Sequence, residues 1–177
     1  MSDRIFLRPL EAADVTDEYL TWFQNDDVTR FLSVDGKSLT REKVVDYMEE
    51  GARSGEFFMQ AICLTENGKQ IGNLKVGPIS AQHRTSDLVC VIWDRSQWGK
   101  GLATEAIRLG NSLAFEKFGV RKLTGSIMSG NVGSIKAYTR AGWIVEATLT
   151  EQYVVDGELQ DDIFVSCFPP GHPLAGG

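Results

Sequence analysis

The sequence predicts a mixed α/β fold in a single domain, and three observations lead to this prediction. Short apolar runs rich in β-branched residues alternate along the chain with segments whose apolar residues recur every three or four positions. The 177 residues are 42% hydrophobic and 24% charged, which is typical of a globular domain. No internal repeat or low-complexity linker interrupts the chain. We therefore expect a central twisted mixed sheet with helices on both faces, in a domain over residues 1–168 followed by a flexible tail over residues 169–177.

The N-terminal part of the chain predicts one strand and two helices. Residues Arg4 to Leu10 alternate apolar and polar side chains, the pattern of a half-buried strand. Asp14 is the predicted N-cap of a first helix, and the polar run Asn25-Asp26-Asp27 ends that helix. The apolar face of this helix comprises Val15, Tyr19, Trp22 and Phe23. Thr40 is the predicted start of a second helix, which ends within the segment Gly51 to Gly55.

Three strands are predicted in the middle of the chain. The first covers Phe57 to Thr65, and the Asn67-Gly68 pair that follows it is a common hairpin turn. The second covers Gln70 to Val76 and is expected to stop at Gly77-Pro78, because proline has no N–H to donate to a neighbouring strand. The third, Asp87 to Trp93, is almost entirely apolar, so we expect it to be central in the sheet and covered on both faces.

The rest of the chain predicts two more helices and three more strands. Gly101 begins a long amphipathic helix that reaches Phe118 and is ended by Gly119. The remaining elements are a strand over Lys122–Met128, a helix over Asn131–Ala141 and a final hairpin of Ile144–Tyr153 and Asp161–Phe168. Asp156-Gly157 supplies a turn of this hairpin. Its exposed face is the surface on which we expect a homodimer contact.

Composition and charge exclude several classes of function. The formal net charge is −6 and no basic run forms a phosphate-binding face, so a nucleic-acid partner is not expected. An acidic surface favours a cationic partner such as an amine, although solubility alone also accounts for it. Cys63, Cys90 and Cys167 are widely spaced and form no zinc pattern, so we expect buried free thiols and no metal. No apolar stretch approaches 18 residues and the segment Met1 to Leu10 is polar, so we expect no membrane contact and a cytoplasmic location.

The loop before the long helix carries the strongest chemical signal. Gly99 and Gly101 follow an apolar strand, and glycine adopts backbone angles closed to other residues while leaving a ligand room to approach. The first turn of a helix has about four N–H groups without a partner, at the positive end of the helix dipole. This arrangement predicts an anion site suited to a pyrophosphate. The Walker pattern is absent, and the Rossmann pattern is incomplete because Thr104 stands where its third glycine is required.

Two motifs together resemble the GNAT superfamily of acetyl-CoA-dependent N-acetyltransferases. The run Trp98-Gly99-Lys100-Gly101-Leu102-Ala103 resembles the family's Q/R-x-x-G-x-G/A loop, with Trp98 where Gln or Arg is usual. The run from Asn131 to Trp143 is similar to the family's N-x-x-[SA]-x-x-x-Y-x-x-x-G-[FW] helix. The element order also matches over almost the whole chain. The segments Trp22 to Asp27 and His83 to Asp87 look most like the ribosomal-protein and spermidine acetyltransferase-like branch.

The resemblance implies transfer of the acetyl group of acetyl-CoA directly to a primary amine, with no metal. Loop N–H groups would bind the pyrophosphate, and the main chain of the central strand would meet the pantetheine arm where neighbouring strands splay apart. The implied cofactor-binding residues are Val89, Val91, Trp98, Gly99, Lys100, Gly101, Leu102, Ala103, Thr104, Asn131 and Ser134. Tyr138 is the implied catalytic acid that protonates the departing thiolate. Asn131 and Tyr138 lie seven residues apart, about two helical turns, and so share one helix face.

Structural alternatives stand beside these roles. Tyr138 is also the kind of tyrosine found in an amphipathic helix core, Asn131 is also a helix N-cap, and Lys100 is also an ordinary solvated lysine. Asp87 and His83 are the candidates for a general base that removes the amine proton, but either also suits a turn or a strand end.

The acceptor is not specified by the sequence. A protein N-terminus, a polyamine, an amino sugar and another small-molecule amine all fit the implied reaction. Its pocket could be lined by Trp22, Phe31, Tyr47 and Tyr153, which also suit an ordinary core. A non-catalytic acyl-CoA-binding module, or a regulatory or scaffold protein on the same fold, is the alternative to an enzyme.

Overall fold

The computed structural model describes residues 4–32, 34 and 36–175. The strands are β1 Ile5–Pro9, β2 Phe58–Leu64, β3 Gln70–Ser80, β4 Thr85–Ile92, β5 Lys122–Met128, β6 Ile144–Val155 and β7 Glu158–Cys167. The helices are α1 Asp17–Phe23, α2 Asp26–Thr29, α3 Arg41–Ser54, α4 Leu102–Ser112 and α5 Val132–Arg140, and α4 continues as a π-helical turn over Leu113–Lys117. All seven strands form one sheet in the order β1-β2-β3-β4-β5-β7-β6, which confirms the mixed α/β prediction. Neighbouring strands are antiparallel, except that β4 and β5 are parallel.

Helices cover both faces of this sheet and divide the core into two layers, as predicted. The layer on the α4–α5 face includes Ile62, Leu74, Leu88, Ile107 and Leu123. The layer on the α1–α3 face includes Val15, Tyr19, Val44, Ala61 and Trp93. Burial of apolar side chains in these two layers is the main force that holds the helices to the sheet.

The predicted N-cap of the first helix is wrong. The N-cap of α1 is Thr16, whose hydroxyl accepts from the Tyr19 N–H at 3.2 Å, and not Asp14. Asp14 instead accepts two hydrogen bonds of 2.6 Å from the Arg8 guanidinium, and a paired charge of this kind outweighs a local capping preference. The predicted end of the first helix before Asn25 is confirmed, and Asn25 also caps a one-turn helix, α2, that was not predicted. The predicted start of α3 at Thr40 is confirmed, since its hydroxyl accepts from the Lys43 N–H.

Strand β3 continues past the proline at which it was expected to stop. Its pairing with β4 shifts register between Val76 and Ile79, and the irregularity contains Gly77 and Pro78. A bulge of this kind accommodates a residue without an N–H inside a strand. The Ile79 N–H turns to the Glu56 carbonyl at 2.7 Å, so the main chain stays hydrogen-bonded beyond the bulge.

Strand β4 is central, as predicted, but the expectation that both of its faces are covered is wrong. Leu88 is buried on the α4 face, whereas Asp87 and Val89 on the other face are exposed, Val89 by 39%. The α1–α3 face is covered only at the far end of the strand, where Val91 packs against the core that contains Trp93. The middle of β4 is therefore an open floor on that face.

The three cysteines are free, and two of them, Cys63 and Cys167, are buried as predicted, while Cys90 is half-buried. Burial raises the pKa of the Cys90 thiol to about 12 and that of Cys167 to about 11, so these thiols stay protonated near neutral pH. Over the ranges that the structure describes, no helix combines the length and the apolar character needed to cross a membrane.

The segment after β7 makes turn hydrogen bonds. The rings of Phe168 and His172 stack with centroids 4.2 Å apart, and the Ala175 N–H donates to the His172 carbonyl at 2.9 Å. Gly176 and Gly177 of the predicted tail, and residues 1–3 of the predicted domain, lie outside the described residues.

Candidate active site

A slot opens in the middle of the sheet, where β4 and β5 diverge. The two strands pair over only three residues, and the last pair is Asp87 with Thr124. Beyond Asp87, β4 continues for five residues to Ile92 without pairing to β5. The predicted splaying of these strands is therefore present, and it leaves one edge of a central strand available to a ligand.

Alternation along β4 decides which of its main-chain groups face this slot. The Leu88 carbonyl accepts from Tyr138, and the Ile92 carbonyl accepts from the Trp98 indole at 2.7 Å, so both point away from β3. The Trp93 N–H points the other way, to the Ile71 carbonyl on the β3 side. Successive residues of a strand alternate between its two neighbours. The groups that face the slot thus belong to Leu88, Cys90 and Ile92.

Val89 and Val91 consequently lie on β4 where predicted, but their main-chain groups are directed to β3. They are paired in register with Lys75 and Asn73. Between Val89 and Val91, only the peptide groups of Cys90 face the slot. Leu88, which also faces it, was missed because apolar patterning does not reveal to which neighbouring strand a residue bonds.

The glycine loop presents a row of main-chain donors beside the slot. Gly99 and Gly101 adopt left-handed angles, with φ of 75° and 78°, and α4 begins directly after them. Among the hydrogen bonds of the described residues, no N–H from Gly99 to Thr104 donates to a protein atom. These N–H groups stand at the positive end of α4, which is the arrangement that binds phosphate. The Trp98 N–H is not part of the row, because it donates to the Arg95 carbonyl at 3.1 Å.

Trp98 and Lys100 serve the loop through their side chains. The Trp98 indole pins the loop to the end of β4, and the Arg95 guanidinium lies 5.5 Å from the centre of its ring. This contact explains how tryptophan can stand where the motif usually has Gln or Arg. The Lys100 ammonium donates to the Gln97 side chain at 3.0 Å and is exposed.

Asp94 anchors the loop and was missed by the sequence analysis. Its carboxylate accepts from the Ser96 N–H and hydroxyl at 3.0 and 2.6 Å, and from the Lys69 ammonium at 2.9 Å. Burial acts to raise the pKa of Asp94, but the bonds from Ser96 and Lys69 outweigh it and hold that pKa below its usual range. An Asp followed two residues later by Ser is a local turn pattern that could have revealed this anchor.

Tyr138 meets the slot at the point where the strands part. Its hydroxyl donates to the Leu88 carbonyl at 2.8 Å, and its ring packs edge-to-face on Trp143 with centroids 4.8 Å apart. The side chain is buried, and burial raises the pKa of the phenol well above its usual value near 10. A neutral phenol beside the open strand edge is able to donate a proton there.

Asn131 and Ser134 lie on the same helix face as Tyr138. The Asn131 side-chain oxygen accepts from the Ser134 N–H at 3.2 Å, so Asn131 is the N-cap of α5. Both residues are half-buried. The structural alternative for Asn131 is therefore present, and a cofactor contact remains compatible with it, because the cap uses only the carbonyl of the side-chain amide.

The opposite face of β4 carries polar and acidic groups. The Thr124 hydroxyl donates to the Asp87 carboxylate. Next to them, the buried Asp162 carboxylate accepts from Ser126 at 2.6 Å and from Tyr153 at 3.2 Å. Asp162 was missed, because only the insertion of β7 beside β5 brings it to this face.

The other predicted residues divide between this face and the core. Trp22 stacks on Trp93 within the core, while Tyr47 stacks on Phe57 at the side of a groove between α3 and the sheet. His83 lies in the turn before β4, at the closed end of the β4–β5 pair, so the structure does not bring it to Tyr138. In the part of the chain that the structure describes, no cluster of His, Cys, Asp or Glu is arranged to hold a metal ion.

Known proteins are similar to this chain in sequence and in structure. Residues 4–144 match the model of the acetyltransferase (GNAT) domain family. A probable N-acetyltransferase, YjcK of Bacillus subtilis, is 23% identical over 175 residues, which are 94% of each chain. Spermidine N(1)-acetyltransferase of Escherichia coli is 28% identical over 102 residues, which are 58% of this chain and 54% of the relative.

Solved structures share the fold. Spermidine N-acetyltransferase of Vibrio cholerae, in complex with CoA and spermine, superposes with a TM-score of 0.84 at 17% identity, covering 94% of this chain and 96% of that one. Ribosomal-protein-S5-alanine acetyltransferase of Vibrio fischeri superposes with a TM-score of 0.81 at 15% identity, covering 97% and 96%. Because the family model spans most of the chain, this protein belongs to the GNAT family and is an acetyl-CoA-dependent N-acetyltransferase.

Proposed function

We propose that this enzyme binds acetyl-CoA along the slot between β4 and β5 and transfers its acetyl group directly to a primary amine that enters from the opposite face of the sheet. Three features in line with one another carry the proposal. They are the N–H row at Gly99–Thr104, which is unpaired among the described residues, the edge of β4 that no strand pairs with beyond Asp87, and the Tyr138 hydroxyl at the end of that edge.

The residues present fit the donor. The N–H row would hold the diphosphate, and the Cys90 peptide groups and the Ile92 N–H would meet the amides of the pantetheine arm. Asn131 and Ser134 would border the same arm from α5. Holding the thioester in place turns the reaction into one between prepositioned groups, which is a large part of the rate enhancement in such enzymes.

Tyr138 would act as the acid. The amine nitrogen attacks the thioester carbonyl carbon, the carbon–sulfur bond breaks, and the phenol gives its proton to the departing thiolate, while the amine proton passes to water. Burial keeps Tyr138 protonated, and the Leu88 carbonyl holds its hydroxyl at the strand edge until the thiolate forms.

We infer that the acceptor is a cationic primary amine of the polyamine type. The support is the exposed Asp87 on the acceptor face, and the groove lined by Asp46, Glu49, Glu50 and Glu56, in which Arg53 pairs with Glu50. Lys75 places its ammonium 5.2 Å from the Phe57 ring centre and bonds the Tyr47 hydroxyl at 3.1 Å, so this groove already accommodates one ammonium group. Spermidine N(1)-acetyltransferase of Escherichia coli, which matches this chain over 54% of its own length, is named for activity on spermidine, and this supports a polyamine acceptor.

The test is acetyl-CoA consumption, followed by thiol release, with a panel of spermidine, a peptide with a free N-terminus, an amino sugar and a neutral aliphatic amine. We expect the polyamine to give the highest kcat/KM. A higher kcat/KM for the peptide or the amino sugar would reject a polyamine as the acceptor but would still support acetyl transfer to an amine. Thiol release equal to the amine-free blank for all four would remove this acceptor proposal and the Tyr138 mechanism together.

We also propose that residues 1–168 form the catalytic domain and that the β6–β7 face joins two copies. β6 is a 12-residue edge strand, and an edge of that length invites pairing or coverage. Val145 and Val154 are exposed and lie on one face of the hairpin, because they pair in register with Val165 and Leu159 of β7. Light scattering on the wild type and on Val154→Lys tests the assembly, with a dimer expected only for the wild type.

A further inference from the structure

Arg4, just before β1, reaches across to the glycine loop. Its guanidinium donates to the Lys100 carbonyl at 2.9 Å and also pairs with the Glu105 carboxylate in the first turn of α4. A β-carbon at Gly101 would lie only 3.7 Å from the same guanidinium. One side chain, 96 residues away in sequence from the residue it holds, therefore contacts the loop on both sides of its second glycine.

Arg4 sets the direction of the peptide between Lys100 and Gly101. In a trans peptide the carbonyl of one residue and the N–H of the next point in opposite directions. Because Arg4 holds the Lys100 carbonyl on its own side, the Gly101 N–H points away from Arg4. Gly101 has left-handed backbone angles and no side chain that would restrict the rotation of this peptide.

Arg4 also offsets the negative charge of Glu105. Glu105 lies in the first turn of α4, close to the N–H row, and its side chain is largely buried, with 18% exposed. A carboxylate there opposes the binding of a dianionic diphosphate, and the field is stronger where water is partly excluded. The Arg4 guanidinium is permanently charged and cancels this effect by pairing.

We propose that Arg4 is a positioning residue for the donor's diphosphate, which turns the Gly101 N–H toward the ligand and neutralises Glu105. The inference rests on the proposed function, since it assumes that the N–H row binds the diphosphate. Arg4 acts through the loop rather than on the reacting atoms, so its removal weakens donor binding and leaves the chemical step intact.

Arg121 provides a matched control. Its guanidinium also donates to the main-chain carbonyl of a distant residue, His83 at 2.7 Å, but at the closed end of the β4–β5 pair. Arg4→Met and Arg121→Met therefore remove the same charge and the same kind of tether at opposite ends of the slot. Only the first change is near the proposed diphosphate site.

The experiment measures the Kd of CoA by calorimetry at several salt concentrations, together with kcat and the KM for acetyl-CoA. For Arg4→Met we expect Kd and KM to rise at least tenfold, kcat to stay within twofold, and the salt dependence of Kd to become shallower. Arg121→Met should leave all of these within twofold. Arg4→Lys keeps the charge but not the two directed N–H groups of the guanidinium, so its Kd should lie between those of the wild type and Arg4→Met. This variant keeps the test usable if Arg4→Met does not fold.

The Glu105→Gln background separates the two contributions. If neutralisation dominates, Arg4→Met loses little affinity in that background, and if peptide orientation dominates, the loss is unchanged. A Kd for Arg4→Met within twofold of wild type, or equal to that of Arg121→Met, would overturn the inference. Gly101→Glu distinguishes this failure from failure of the proposed function: normal CoA binding by that variant rejects the diphosphate site itself.

Discussion

The hydroxyl of Tyr138 on α5 donates a 2.8 Å hydrogen bond to the carbonyl of Leu88 on β4, fifty residues earlier in the chain. Leu88 is the first residue of β4 beyond the segment that pairs with β5. The bond therefore places the phenol at the base of the slot, beside the strand edge that a pantetheine arm would follow. Trp143, whose indole donates to the buried Asn111 at 3.1 Å, supports the ring from the other side.

Replacing Tyr138 by phenylalanine tests the acid. General acid catalysis contributes about 100- to 10,000-fold, so we expect kcat to fall by at least about 100-fold. The Kd for acetyl-CoA should change less than threefold, because the proposed diphosphate donors lie in the glycine loop and not on α5. The variant loses one buried hydrogen bond, a cost of about 1–2 kcal/mol, so a thermal melt should accompany the kinetics. A kcat equal to wild type would remove Tyr138 from the mechanism.

The pH dependence of kcat follows from the burial of Tyr138. Burial raises the pKa of the phenol, so the protonated form persists above the pH at which an ordinary tyrosine, with a pKa near 10, would ionise. With a weakly basic amine that is already unprotonated at neutral pH, we expect kcat to stay level up to about pH 10. A decline centred at or below that pH in the wild type, and absent from Tyr138→Phe, would contradict this assignment.

Gly101→Glu tests the diphosphate site. The new carboxylate would add a negative charge beside the N–H groups proposed to hold the diphosphate, so we expect CoA affinity to fall by at least about 100-fold through like-charge repulsion. Gly68→Glu is the matched control, since Gly68 also has left-handed angles but lies in the β2–β3 turn, where no described residue comes within 4 Å of a β-carbon. The two variants share the backbone strain. Calorimetry should show weakened CoA binding for Gly101→Glu alone. Equal losses of CoA affinity in both variants would assign the effect to backbone strain.

Gly72→Ala tests the close contact that fixes the edge of the slot. A β-carbon at Gly72 would lie 2.3 Å from the Val91 carbonyl, so β3 and β4 would have to separate. We expect the free energy of unfolding to fall by at least about 2 kcal/mol, as for overpacked cores. In Gly133→Ala on α5, where nothing lies within 4 Å, the same change should instead stabilise the protein by up to about 1 kcal/mol. Urea denaturation measures both, and a neutral Gly72→Ala would show that the strands can yield.

Local signals in the sequence predicted most of the elements correctly. Thr40 caps α3, the Asn67-Gly68 turn joins β2 to β3, and β5 covers the predicted residues. Each of these features depends on side chains within a few positions of one another. The glycine loop was found for the same reason, because a strand, two glycines and a helix are contiguous in sequence.

The errors share a different origin. Asp14 does not cap α1 because its carboxylate binds Arg8. Strand β3 extends beyond Pro78 because it pairs with β4 through a bulge there. The open face of β4 at Val89 depends on where α1 and α3 end on the sheet. In each case a contact with a distant segment outweighed the local preference.

The sequence by itself determined the fold class, the periodicity of the helices and strands, the glycine loop and the tyrosine helix, because these patterns express local backbone preferences and the side on which apolar residues are buried. The tertiary structure alone decided that Leu88 rather than Val89 faces the slot, that β7 carries Asp162 to the α1–α3 face of the sheet, and that Arg4 holds the loop. Strand order and register bring together residues tens of positions apart, and they are selected by the burial and hydrogen bonding of the whole sheet rather than by any local run of residues.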